Sequence, residues 1–195
     1  MNIERNVKRV ETLAAEKEDA NWEFRYFLKG CDLSVEQIDA VVHRLTRQVS
    51  SQIDCLQCAN CCKKVSPVLQ SEDIERLATH LGIGWDSFVR KYVVEDKEED
   101  GFYFQSIPCP FLKDNSCAVY AARPHDCRSY PHLMQDESVF RLIQVCSNCS
   151  VCPIVFNVYE LLKQELWNDE YGFQLFDDEF EDWGFVDDGE RKNTL

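Results

Sequence analysis

The stretch CLQCANCC places four thiols in eight positions, as Cys55, Cys58, Cys61 and Cys62. No other part of the chain restricts its folding as tightly, because so much sulfur in one turn must either cross-link or hold something. The 195 residues contain 11 cysteines, and an odd count cannot close entirely into internal disulfides. The first ten residues are charged throughout, and no apolar run reaches the roughly 18 residues a membrane span needs. Both features point to a cytoplasmic protein with no signal peptide. Reducing buffers in that compartment keep thiols free, so clustered cysteines read as metal ligands or redox centres before they read as disulfides.

The remaining thiols follow in groups: Cys109, Cys117 and Cys127, then Cys146, Cys149 and Cys152, with Cys31 alone. A tetrahedral zinc with Zn–S bonds of about 2.3 Å needs sulfurs about 3.8 Å apart, and an iron–sulfur cluster also needs several sulfurs converging on one small volume. Three-residue spacings in a turn bring some sulfurs together locally, and distant segments complete the shell. The doublet Cys61–Cys62 adds a constraint, since neighbouring side chains diverge by about 100° in a helix and 180° in a strand. The pair therefore serves two neighbouring centres or a polynuclear cluster, or one member is a free thiol. All-sulfur shells suit zinc, iron–sulfur clusters or copper(I). CSNCSVCP resembles a ferredoxin-type run but differs in spacing. The radical-SAM pattern C-x3-C-x2-C, the G-x-G-x-x-G loop and the G-x4-G-K-[ST] loop are all missing, so no catalytic residue is identified.

Around these groups the pattern is mainly helical. Val35, Ile38, Val41, Val42, Leu45 and Val49 recur at helical spacing behind Ser34, and Gln37 completes a capping box, which predicts a helix over 35–52. A weaker stripe covers 3–14, and WEFRYFLKG either extends it or alternates as a strand. A helix from Ser71 to Leu81 ends at Gly82, a short one covers WDSFVRKYV, and Pro153 opens another over 153–167. GFYFQSI and SVFRLIQV read as strands that pair into a small ribbon. The expected architecture is mainly α with a small β-ribbon, its helices bracketing cysteine-rich loops. The expected organisation is an N-terminal helical segment (1–54), a cysteine-cluster domain packed with it (55–167) and an acidic-aromatic tail (168–195).

Thirty-five acidic against 21 basic residues give a net charge of −14, which repels phosphate backbones and anionic lipid. Nucleic acid and membrane are therefore not expected partners, and a protein or redox partner would present a basic face. FDDEFEDWGFVDDGE (176–190) carries eight carboxylates between Phe176, Phe180, Trp183 and Phe185. It reads either as a solvated tail whose aromatics fold back or as a docking segment. YAARPHDCRSYPH surrounds Cys127 with Arg123, Arg128, His125 and His132. A four-thiolate centre is locally anionic, so Arg123 and Arg128 are candidates to sit just outside it and tune it. The two histidines read as solvated loop residues, and His43 and His80 as helix-surface residues.

In this order, CLQCANCC, PCPFL, VYAARPHDCRSYP and CPIVFNV resemble the CxxCxxCC family of zinc- or iron-chelating proteins, the YkgJ-like cysteine-cluster proteins. The likeness runs over roughly residues 50–160. It implies an intracellular metal-binding protein, often labelled an iron–sulfur oxidoreductase, with flagellin lysine methylases among the relatives. Position by position it implies Cys55, Cys58, Cys61, Cys62, Cys109, Cys117, Cys127 and Cys152 as metal ligands, enough for two four-coordinate shells. Cys146 and Cys149 fit the pattern less firmly; they replace a ligand, extend a cluster or stay free. Where the family often carries glycine, this chain has Ala59–Asn60, with Asn60 expected in the left-handed turn conformation. The implied cofactor is one or more iron–sulfur clusters, or zinc. The implied roles are a redox protein, a non-enzymatic zinc module or, by family analogy alone, a transferase.

Overall fold

The computed structural model describes residues 3–96 and 101–167. In chain order its first helices are α1 (Val7–Glu16), α2 (Glu18–Gly30), α3 (Val35–Ser50), α4 (Cys55–Cys58) and α5 (Asn60–Lys64). Strand β1 (Val68–Leu69), helices α6 (Ser71–Leu81) and α7 (Trp85–Tyr92), and strands β2 (Val93–Asp96) and β3 (Gly101–Phe104) follow. Then come β4 (Leu112–Lys113), β5 (Ser116–Cys117), α8 (His125–Ser129), α9 (Leu142–Cys149) and α10 (Pro153–Leu166). The architecture is mainly helical with two small antiparallel sheets, one ordered β1-β3-β2 and one a β4-β5 hairpin. The segment 168–195, including the acidic-aromatic run, lies outside the described residues.

Helices α3, α6, α7 and α10 start where the sequence predicts. Ser34 and Gln37 close their reciprocal capping box at α3, which satisfies two N–H groups that would otherwise lack partners. Gly82, at φ 66°, ends α6, a conformation glycine adopts without steric cost. WEFRYFLKG resolves as the body of α2, with Phe24, Phe27 and Leu28 buried at helical spacing.

SVFRLIQV is not a strand. Residues 138–141 form a 3₁₀ turn that runs into α9, and GFYFQSI supplies β3, which pairs with β1 and β2 instead. The β-branched and aromatic composition suggests sheet, but burial follows a helical period. Val139, Leu142 and Cys149 face inward while Phe140 and Ile143 are exposed. Tertiary packing overrides the local preference.

Two apolar cores result. The larger joins α1, α2, α3, α9 and α10 around Phe24, Leu45, Val49, Tyr159 and Leu162. The smaller joins α6, α7 and the three-stranded sheet around Ile74, Leu77, Phe88, Phe104 and Phe111. Cys152 belongs to the first, whereas Cys109 and Cys117 pack against the second. The cysteine loops thus run between two separately packed bodies, so their placement is fixed from both sides.

Candidate metal centre

The local chain explains how the thiols are presented. Asp54 caps α4, its carboxylate accepting the Leu56 N–H at 2.9 Å. One turn later the helix breaks at Ala59, which holds φ 48° and ψ 19°. This corrects the expectation for Asn60: the left-handed residue is Ala59, and Asn60 starts α5. Asn60 is buried, and its side-chain amide donates to the Val151 carbonyl at 2.7 Å. That bond docks the CLQCANCC turn beside Cys152. Cys61 and Cys62 are consecutive residues of α5, and their thiols lie close enough to hydrogen-bond to each other.

The second cysteine group is attached to the first through the backbone, the Cys109 N–H donating to the Cys62 carbonyl at 2.8 Å. Between Cys109 and Cys117 lies the hairpin, whose two-residue turn, Asp114 and Asn115, has both φ values positive. That geometry suits the right-handed twist of paired strands, and Asp and Asn tolerate it. Leu112 pairs with Cys117 across the ladder.

The loop carrying Cys127 is held by α6. Buried Asp73 accepts the His125 N–H at 3.0 Å and pairs with Arg76. The Arg76 guanidinium donates to the carbonyls of Ala122 at 3.3 Å and Arg123 at 3.1 Å. Arg128 folds back onto the carbonyls of Arg123 and Ala121, both at 3.0 Å. His132 is buried, not solvated, and its Nε2 lies 3.2 Å from Asp126. Burial lowers its pKa, opposed by the Asp126 charge. Asp126 also accepts the Val68 N–H at 3.2 Å. His43 lies on α3 near Gln135, and His80 is exposed on α6.

These segments enclose a cavity of about 300 Å³ lined by Cys55, Cys58, Cys61, Cys62, Cys109, Cys117, Cys127 and Cys152. Arg123 and Arg128 also line it. Cys55 is exposed at the rim, where Leu56 and Tyr120 are also exposed; the other seven thiols are half-buried or buried. The Arg123 guanidinium lies 4.1 Å from the centre of the Tyr120 ring. Cys31, Cys146 and Cys149 do not line the cavity. The Cys146 thiol sits 3.5 Å from the Tyr159 hydroxyl, Cys149 is buried in the helical core, and Cys31 donates weakly to the Leu28 carbonyl. Among the described residues no group of three or more His, Cys, Asp or Glu side chains is arranged to hold a single metal ion as it stands.

Electrostatics within the cavity favour the neutral form of Cys55, Cys61, Cys109, Cys117, Cys127 and Cys152. Burial pushes the pKa of Cys109 and Cys152 up to about 11 and that of Cys127 up to about 12. Cys62 moves the other way: it accepts a hydrogen bond from the Cys61 thiol, and Lys63 and Arg123 favour its anion. Cys61, the donor, is raised. Tyr130, which also lines the cavity, is raised by burial and by Cys152 and Cys61, and its hydroxyl donates to Asn148 at 3.2 Å. Sequence reasoning missed Tyr130 as part of the site, and Asp73 and Arg76 as its supports. The aromatic beside two prolines and the acid in a helix first turn carry no metal-ligand signature.

Eight thiols on one cavity define a cysteine-rich metal-chelating class, and the donor set fits soft thiophilic metals. The chain matches the family model described as "CxxCxxCC: Putative zinc- or iron-chelating domain" over residues 54–153, and it belongs to that family. It is similar to "Uncharacterized protein MJ0661" of Methanocaldococcus jannaschii, at 31% identity over 90 residues, covering 42% of this chain and 45% of that protein. The chain thus spans less than half the length of that curated relative. No solved structure matches it. No helix among the described residues is long and apolar enough to cross a membrane.

Proposed function

We propose that the protein is an iron–sulfur redox protein whose cavity cysteines, Cys55, Cys58, Cys61, Cys62, Cys109, Cys117, Cys127 and Cys152, hold the inorganic centre. The observation that carries this reading is the size of the cavity, about 300 Å³, set against its sulfur lining. A single tetrahedral ion draws its four sulfurs to about 3.8 Å from one another and leaves little space. A four-iron cube binds each cysteine through a different iron, so its sulfurs stand farther apart and the cube itself fills the volume. The wide, thiol-lined space supports the larger occupant.

Two features favour electron transfer. Cys55 brings the sulfur lining to the surface, and the exposed apolar side chains of Leu56 and Tyr120 beside it offer a docking rim. Arg123 lies close enough to favour the anionic forms of Cys55, Cys62 and Cys117, so its charge opposes the negative charge of a thiolate-bound cluster. Such a group supplies one-electron chemistry when bound. The chain's own contribution is to collect, orient and shield the sulfurs.

Purification of the full chain without oxygen, followed by iron, zinc and acid-labile sulfide analysis and an optical spectrum, tests the proposal. Iron and sulfide in equal amounts with broad visible absorption are expected. A colourless protein with stoichiometric zinc and no sulfide would reject the redox reading in favour of a zinc-organised module.

A further inference from the structure

We propose that the acidic-aromatic run 176–190 docks back onto its own chain, on the face where α2 lies beside α9. Its aromatic side chains cover Tyr26, Phe140 and Ile143, and a carboxylate answers the Arg25 guanidinium. This face lies apart from the cysteine cavity and shares none of its lining residues.

Trp22, Arg25, Tyr26 and Lys29 recur at i, i+3, i+4 and i+7 of α2 and so form one stripe. The stripe borders Asn21 and Leu28, which meet α9. The Cys146 thiol donates to the Asn21 carbonyl at 3.7 Å, and Leu28 lines a small apolar gap with Leu142 and Val145. Phe140 is 72% exposed, Tyr26 58% and Ile143 57%, and these are the most exposed large apolar side chains among the described residues. The Arg25 guanidinium stands 5.6 Å from the centre of the Trp22 ring and 5.3 Å from that of Tyr26. Its Nε is buried with no hydrogen-bond partner among the described residues. A buried donor left unpaired is costly, and a carboxylate is the acceptor that suits a guanidinium best. Arg25, Lys29 and Arg141 make the face basic, and α9 has no charged residue of its own. Glu18 opens the stripe one turn earlier, and Glu23 falls about 100° around the helix from Trp22.

The occupant follows from where the described chain ends and from what comes after it in the sequence. Helix α10 stops at Leu166, and Trp167 stacks on Phe24 of α2 with ring centres 5.5 Å apart, beside the helix that carries Arg25. Phe176 is nine residues beyond Trp167, a reach of up to about 30 Å, whereas the whole of α2 is about 20 Å long. The run 176–190 holds eight carboxylates and no basic residue, which complements Arg25, Lys29 and Arg141. Phe176, Phe180 and Trp183 follow one another at i, i+4 and i+7, the anchor spacing of a peptide laid into an apolar groove. Tethering keeps the run at an effective concentration in about the millimolar range, which favours it over a separate acidic peptide.

Zero-length carbodiimide cross-linking of the full chain, mixed in equal parts from unlabelled and isotope-labelled protein and read by peptide mass spectrometry, provides the test. An amide between Lys29 and a carboxylate of 176–190 is expected, with both linked peptides carrying the same label. Links between unlike labels place the run on another copy and overturn docking within one chain. Links spread evenly over Lys29 and Lys91, on α7 in the other apolar body, overturn the docking face. The variant Phe180→Ala/Trp183→Ala keeps every lysine and carboxylate and alters no residue of either apolar core, so it separates docking from folding. It should cut the Lys29 link about tenfold, and Arg25→Gln should lower it by a similar factor. An unchanged yield in either variant overturns the proposal.

Discussion

Single buried polar side chains fix long-range geometry here. Asp39, inside α3, accepts the N–H groups of Glu137 and Ser138 at 2.6 and 2.9 Å and the Ser138 hydroxyl at 2.6 Å. It thereby seats the 3₁₀ turn ahead of α9. Burial alone would raise its pKa, but the hydrogen bonds from Ser138 and Glu137, with His43 nearby, outweigh burial and lower it. A carboxylate with a depressed folded-state pKa contributes stability that is present above its unfolded value of about 3.9 and lost as pH falls through the folded value. Asp39→Asn should therefore cost about 1–3 kcal/mol in urea unfolding at pH 7. The gap from wild type should shrink below about pH 4, and a gap that is independent of pH would contradict this role.

At the scale of elements, the turn between α4 and α5 matters most, because it aims four thiols. A non-glycine residue in the left-handed region costs roughly 1–2 kcal/mol, and Ala59 bears that strain at φ 48°. Ala59→Gly should raise unfolding stability by about 0.5–1 kcal/mol, the relief of strain being partly offset by a more flexible unfolded chain. Asn60→Ala should cost about 1–3 kcal/mol by leaving the Val151 carbonyl unpartnered, measured by the same urea titration. The sequence made α3, α6, α7 and α10 legible because caps and apolar stripes act locally. It misled at SVFRLIQV, where composition favours a strand and only contacts with Asp39 and the helical core select a helix. It also misassigned Asn60, since nothing local shows that its amide reaches a residue 91 positions away. The grouping of cysteines was visible from spacing, but the supports at Asp73, Arg76 and Tyr130 act through tertiary contacts that leave no motif.

At the scale of the whole molecule, two apolar bodies flank a sulfur-lined space, and short elements connect them: α4, α5, α8 and two-residue strands. Such elements are too small to be stable by themselves. Metal binding to thiolates contributes on the order of 10 kcal/mol of coupled folding free energy in structural zinc sites. Chelation under reducing conditions should therefore raise hydrogen exchange over 55–62 and 109–127 while α3 and α10 stay protected by the helical core. Uniform loss of protection would show that the two bodies are not separately packed.

The central claim is that thiols from separated loops meet at shared inorganic centres. X-ray absorption at the metal edge of the anaerobically isolated protein tests it most directly. The expected spectrum has a first shell of sulfur alone at about 2.3 Å, with a second metal atom behind it. A first shell dominated by oxygen or nitrogen would contradict the claim.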